Sequence, residues 1–180
     1  MFNISFVLER SEGKLKIRKA KSSDSKEIIE VNVKTWLTTY SGIMPEQVLK
    51  NKVDNMEESI KKCEKTVEDD DNVLVAIKDK KIVGIVSFGK AKSIDNGKKT
   101  GQIYSLYVLK EYQRQGIGKK LFLEAKNALN KQGYKKIIVT CIVQNPANEF
   151  YKKIGGEKID TIKSNIYGIQ MYENLIKFDS

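Results

Sequence analysis

The residues best suited to chemistry form the run Gln113-Arg114-Gln115-Gly116-Ile117-Gly118-Lys119, set between an alternating apolar segment at 102–108 and a helical pattern at 118–129. N–H groups at a helix start lack intrahelical acceptors, and the helix dipole places partial positive charge there, so this junction suits a phosphate. Glycine at 116 and 118 lets an anion come close to the backbone. Spacing separates the phosphate binders. A P-loop needs G-x-x-x-x-G-K-[ST], but with Gly118-Lys119 at its end, Gln113 takes the first glycine's place and Lys120 the hydroxyl's. A dinucleotide fingerprint needs G-x-G-x-x-G, and the run beginning at Gly116 fails at Leu121. Both are disfavoured, and a plain tight turn into a helix is the remaining alternative for the glycines taken alone.

About thirty residues downstream lies Asn145-Pro146-Ala147-Asn148-Glu149-Phe150-Tyr151-Lys152-Lys153-Ile154-Gly155-Gly156. Asn followed by Pro reads as a helix N-cap with proline in the first turn. Tyr151 taken alone reads as a core aromatic beside Phe150; its phenol, protonated at neutral pH, is also able to act as an acid.

The pattern [QR]-x-x-G-x-[GA], met by Gln113, Gly116 and Gly118, followed by this second run, resembles motifs A and B of the GNAT acetyltransferase superfamily, over about residues 15–176. The resemblance implies a mixed, mostly antiparallel central sheet flanked by helices, an α/β (α+β) arrangement with a splay between the strands near 102–108 and 136–143. It implies acetyl-CoA as cosubstrate and no metal. Arg114, Gln115, Gly116, Ile117, Gly118 and Lys119 would wrap the pyrophosphate. The main chain of Leu106, Tyr107 and Val108, on a bulged strand, would bond the pantetheine amides and polarise the thioester carbonyl. Asn145 would contact the pantetheine, and Tyr151 would protonate the departing thiolate. Two positions depart from the commoner family pattern: Gly156 stands where an aromatic often follows the glycine, and Gln102 where many relatives have a carboxylate.

An amine acceptor is mostly ammonium at neutral pH, its pKa being about 10.4, so a proton must leave before the lone pair attacks. The chain has no His to take it. Tyr104, Glu111 and Glu149 lie near the right segments but read more simply as a strand-face aromatic and solvated charges. The base therefore has no assignment from sequence. Thr35 to Pro45 resembles a stretch found in one bacterial branch of the superfamily with diverse acceptors, which makes Trp36 and Tyr40 candidates for the acceptor pocket, with core closure the other reading of Trp36. The expected activity is direct transfer of an acetyl group to a primary amine of a small molecule or peptide. The competing expectation is a coenzyme-binding module with little catalysis.

These residues need elements to hold them. The periodicity predicts a strand at 15–20, a helix from Ser23 or Asp24, a loop at 38–44, and one kinked helix or two short ones from Pro45 to Val67. It then predicts a hairpin across Asp79-Lys80, a polar turn at Asp95 to Gly101, a strand at 102–108 and a helix at 118–129. A strand at 136–143, a helix at 146–154 and strand alternation from 158 to 176 complete the order. Residues 1–14, in which Ile4, Phe6 and Leu8 alternate, read as an extension before an acetyltransferase domain at 15–180.

A chain of 180 residues that is 40% hydrophobic can bury one substantial core, so one domain is expected. Cys63 and Cys141 are far apart with no His to complete a zinc site, so they read as reduced thiols. The net charge of +10 comes almost wholly from Lys, spread along every segment; Arg is confined to Arg10, Arg18 and Arg114. That scatter disfavours nucleic acid, which selects basic residues clustered on one face, and fits a solvated surface or a polyanionic small ligand. No apolar run approaches bilayer length and no secretory leader is recognisable, so a cytoplasmic protein, monomeric or homodimeric, is expected.

Overall fold

The structure, a computed structural model, describes residues 13–69, 72–92 and 100–179. Apart from Gly13 and Lys14, the expected extension lies outside the described residues, as do residues 95–99 of the expected polar turn. Gly101, expected in that turn, is already in a strand, opposite Lys90 and Ile137.

The chain runs β1 (Lys16–Lys19), a 3-10 turn at Ser22–Asp24, α1 (Ser25–Thr39), α2 (Glu46–Asp54), α3 (Met56–Asp69), β2 (Val73–Lys78), β3 (Lys81–Lys90) and β4 (Thr100–Val108). It continues through α4 (Ile117–Lys131), β5 (Lys136–Ile142), α5 (Ala147–Lys153), β6 (Glu157–Ile166) and β7 (Ile169–Asp179). The expected order holds, with the 45–67 segment resolved into two helices parted at Asn55. None of the described helices is long and apolar enough to cross a membrane.

One seven-stranded sheet has the order β1-β2-β3-β4-β5-β7-β6. Only β4 and β5 run parallel; the other neighbours are antiparallel. Strand alternation assigns the two faces. Ala76, Val83, Val86, Ile103, Val108, Ile137, Val139 and Phe178 meet Leu121, Phe122, Ala125 and Leu129 of α4, a stripe spaced at helical period. Each fully buried Leu or Phe in that stripe contributes about 1.5–3 kcal/mol. On the other face Val75, Ile82 and Ile85 meet Ile28 and Val31 of α1, while Trp36, Tyr40, Val48 and Leu49 pack with Ile142 and Met171. The sheet is therefore sandwiched, with α1 to α3 on one side and α4 and α5 on the other. Arg18 closes the α1 entrance by pairing with Asp24, whose carboxylate also accepts the Lys21 N–H at 2.7 Å.

Two features of the sheet shape the site. The β3–β4 register shifts so that Ser87 faces Ser105 while Phe88 faces Ile103, leaving Tyr104 as the extra residue of a bulge. The β4–β5 ladder covers only Thr100–Lys136 to Ile103–Val139, while β5 stays paired with β7 to Ile142. From Tyr104 onward the two parallel strands separate, which is the splay expected from the motif resemblance.

The departure at Gly156 also has a cause. A Cβ there would sit 2.6 Å from Phe178 Cζ, 2.7 Å from Ile176 Cγ2 and 2.8 Å from the Tyr151 carbonyl oxygen. The Gly156 N–H donates to that same carbonyl at 2.9 Å, closing the C-terminal turn of α5 just before β6. Gly156→Ala should destabilise the fold by about 1–3 kcal/mol, through overpacking. The expected readout is a lower denaturant midpoint at unchanged slope.

Candidate active site

The loop between β4 and α4 is held by its own side chains. Gln113 Nε2 donates to the Val108 carbonyl at 2.9 Å, bending the chain back onto the end of β4. Arg114 and Gly116 both take positive φ, 62° and 77°, a strained choice for arginine and an easy one for glycine. Gln115 turns outward, accepting from Lys78 Nζ at 2.9 Å and donating to the Glu111 carbonyl at 3.2 Å. Ile117, the first residue of α4, is buried in the core. The first intrahelical bond of α4 runs from Lys120 N–H to the Gly116 carbonyl at 3.0 Å. The N–H groups of residues 117–119 are thus left for an external acceptor. A Cβ on Gly118 would reach the Phe150 ring at an ordinary 3.5 Å, so internal packing does not require glycine there; what it leaves open is the approach to the helix end.

A cleft of about 740 Å³ runs from this loop into the split between β4 and β5. Of the residues proposed from sequence, Leu106, Tyr107, Val108, Arg114, Gly116, Gly118, Lys119, Asn145, Tyr151, Trp36 and Tyr40 line it. Gln115 and Ile117 do not, and they have only main-chain groups to offer. On β4, Leu106 and Val108 turn toward the α4 face and Tyr107 toward α1. Beyond Ile103 the edge of β4 that faces β5 has no ladder partner, so apart from the Val108 carbonyl, which Gln113 engages, its main-chain groups are open to an extended ligand.

Asn145 bridges the two halves of the cleft. Its Oδ1 accepts the Ala147 N–H at 2.9 Å and its Nδ2 donates to Tyr40 Oη at 3.0 Å, with the side chain buried. It caps α5 from two residues before the first helical position, because Pro146, expected in the first turn, itself stands at the N-cap. Trp36 Nε1 likewise donates to Tyr107 Oη at 2.9 Å, and the Trp36 and Tyr40 rings lie 4.3 Å apart. Trp36 is part of a core cluster, and it also lines the cleft.

Tyr151 is buried, edge-on to Phe150 and Phe178, and no hydrogen bond among the described residues engages its hydroxyl. Burial pushes its phenol well above the ordinary value, with Cys141, Tyr107 and Tyr40 adding to the effect. Burial raises the Tyr40 phenol as well, and takes Tyr107 up to about 12. Three neutral hydroxyls therefore surround the split. Burial also pushes the Cys141 thiol up to about 12, so it stays protonated near neutrality and is a poor nucleophile.

Sequence reasoning missed Cys141, Thr140, Phe150 and Glu173, all of which line the cleft. Glu173 had a readable signal. Met171 and Leu175 occupy the buried phase of β7, and Glu173 lies between them in that phase. Among the described residues no group of His, Cys, Asp and Glu is arranged to hold a metal.

Residues 36–171 match the family model described as Acetyltransferase (GNAT) domain. The uncharacterized N-acetyltransferase YuaI of Bacillus subtilis is 33% identical over 158 residues, covering 87% of this chain and 88% of that protein. The spermidine N(1)-acetyltransferase of Thermoplasma acidophilum is 28% identical over 165 residues, covering 89% and 99%. Among solved structures, the PaiA N-acetyltransferase of Thermoplasma acidophilum, in complex with coenzyme A, superposes with a TM-score of 0.70 at 23% identity, over 93% of this chain and 99% of that one. With a family match across most of its length and the split-sheet architecture in place, the chain belongs to the GNAT family of N-acetyltransferases.

Proposed function

We propose that the protein, acting in the cytoplasm as a monomer or homodimer, transfers the acetyl group of acetyl-CoA directly to a primary amine of a small molecule or peptide. The acetyltransferase unit in this reading is residues 15–180. The observation that carries it is the continuity of the cleft, from the free N–H groups at the start of α4, along the unpaired edge of β4, to the unengaged hydroxyl of Tyr151.

Each stretch suits one part of the cosubstrate. Arg114, Lys119 and the N–H groups of residues 117–119 meet the pyrophosphate, with Gly116 and Gly118 keeping its approach clear. The main chain of residues 106–108 pairs with the pantetheine amides, as an added strand would, and a backbone N–H there faces the thioester oxygen. The remaining N–H of the Asn145 amide points the same way in this reading, its other hydrogen being held by Tyr40. The amine enters from the α1 face, where Trp36 and Tyr40 form the wall.

Direct attack is favoured over an acetyl-cysteine intermediate because Cys141 remains a neutral thiol. Tyr151 serves the leaving sulfur from the α5 face. Its raised pKa makes it a weak acid but guarantees the O–H, so its main contribution is a hydrogen bond to the nascent thiolate. The spermidine activity of the Thermoplasma relative makes polyamines the first acceptors to test.

Purified protein incubated with acetyl-CoA should release thiol in the presence of at least one amine from a panel of spermidine, free amino acids and peptides with free N-termini. Failure to bind coenzyme A would end this reading. Tyr151→Phe should lower kcat by about a hundredfold, the lower end for a positioned proton donor, while coenzyme A affinity changes little. Arg114→Ala and Lys119→Ala should each weaken coenzyme A binding about tenfold, as expected for a lost charge-assisted phosphate contact, and calorimetry should find a shallower salt dependence in each.

A further inference from the structure

The mechanism above leaves the amine's proton without a destination, and Glu173 is placed to receive it. The structure assigns Glu173 as the general base that takes, directly or through one water, the proton that a bound ammonium must lose before it attacks the thioester. The assignment rests on the acetyl-transfer reading and deepens it.

The placement follows from strand register. Glu173 faces Ile142 on β5 and Ile162 on β6, at the end of β5 where the ladder to β4 is already gone. Ile142 and Met171 belong to the cluster containing Trp36 and Tyr40, so the Glu173 side chain shares the α1 face with the acceptor wall. Tyr151 and Cys141 belong to the opposite, α4 side. A thioester lying in the split would thus have a carboxylate on the acceptor face and a phenol on the cofactor face. The amine and the leaving sulfur occupy those same two sides.

Glu173 and Glu149 are the two carboxylates that line the cleft, and Glu149 is exposed in the first turn of α5 while Glu173 is half-buried. No hydrogen bond or ion pair among the described residues engages Glu173. The Tyr40 hydroxyl at the end of α1 is near enough to feel its charge, as is the Cys141 thiol across β5; the Tyr107 hydroxyl lines the same cleft, and Asp160 of β6 shares its strand phase. From α2, Lys52 holds its ammonium over the rings of Trp36 at 4.1 Å and Tyr167 at 5.0 Å. The negative charge of Glu173 helps keep Tyr40 and Cys141 protonated. An incoming ammonium would supply the cation that this carboxylate lacks.

The protons balance. The ammonium gives one to Glu173, and the N–C bond forms. As the C–S bond breaks, nitrogen loses a second proton, which ends on sulfur with Tyr151 hydrogen-bonded to it. Glu173 then returns its proton to solvent. Without such a base only the free amine reacts, about one molecule in a few thousand at pH 7 for a pKa near 10.4.

The test compares the unchanged protein with Glu173→Gln and Glu173→Asp, using the fastest amine of the panel, from pH 6.5 to 9.5. Expected is a loss of kcat/KM of about 10²–10⁴-fold for Glu173→Gln at pH 7, with partial activity in Glu173→Asp and unchanged coenzyme A affinity in both. The unchanged protein should have a nearly level profile between pH 7 and 9, whereas Glu173→Gln should gain about tenfold per pH unit as free amine accumulates. Parallel profiles, a rise in KM alone, or loss of coenzyme A binding in both variants would overturn the assignment, making Glu173 an anchor or a structural residue. Absence of turnover by the unchanged protein would instead overturn the acetyl-transfer reading itself.

Discussion

The site depends on one constraint: β4 cannot stay paired on both edges past Ile103. The bulge at Tyr104 changes the twist and aim of β4 while the antiparallel pairing to β3 resumes on its far side. β5 remains bound to β7 through Ile142 and does not follow. Four residue pairs anchor the parallel contact, and the divergence beyond them exposes backbone from two strands inside the protein. Buried backbone without partners is costly, so a split of this kind persists where solvent or a ligand satisfies it. Tyr104 secures the bulge by donating to the Lys90 carbonyl, and the Ser87 and Ser105 hydroxyls, 2.6 Å apart, tie the next position to β3.

The rest of the architecture keeps the split open and gives it two chemically distinct mouths. Asn145 to Tyr40 and Trp36 to Tyr107 join the α1 side to the strands without filling the gap. Burial holds the tyrosines and Cys141 neutral, and the charged side chains of α5 that line the cleft, Glu149 and Lys153, are exposed, so Glu173 is the half-buried charge near the split. Positive charge is kept for the outer mouth, at Arg114, Lys119 and the start of α4, where a polyanion can be met without burying the cations. The Lys-rich surface of the chain, with a net charge of +10, favours approach of such an anion over long range.

The sequence made the strand–loop–helix at 102–129 readable because its signals are local: alternation, a positive-φ glycine and helical spacing fall within thirty residues. The role of Gln113 was less accessible. Its place in the motif was visible, but the hydrogen bond to Val108 that gives it a function depends on how the turn closes. Gly156 read as a departure from pattern until its three close neighbours, from two elements, were in place. Trp36 and Tyr40 were legible as a pair from the loop that follows them; their partners Tyr107 and Asn145 lie 71 and 105 residues away, and no local rule links them.

Glu173 marks where local reading stops. From sequence, a single carboxylate between Met171 and Leu175 is a charge in the wrong phase of a strand, and such a charge has two ordinary explanations: a frayed edge or a solvent-filled pocket. Deciding between them requires knowing that β7 is interior, lying between β5 and β6, and that the neighbouring strand at that height has lost its other partner. An interior strand with a closed neighbour would have penalised the charge with several kcal/mol of desolvation. Here the split leaves the side chain open to solvent or a ligand instead, so the same break in pairing that opens the cleft makes a carboxylate tolerable beside it. The open sheet and the cleft position of Glu173 are therefore two consequences of one break in strand pairing.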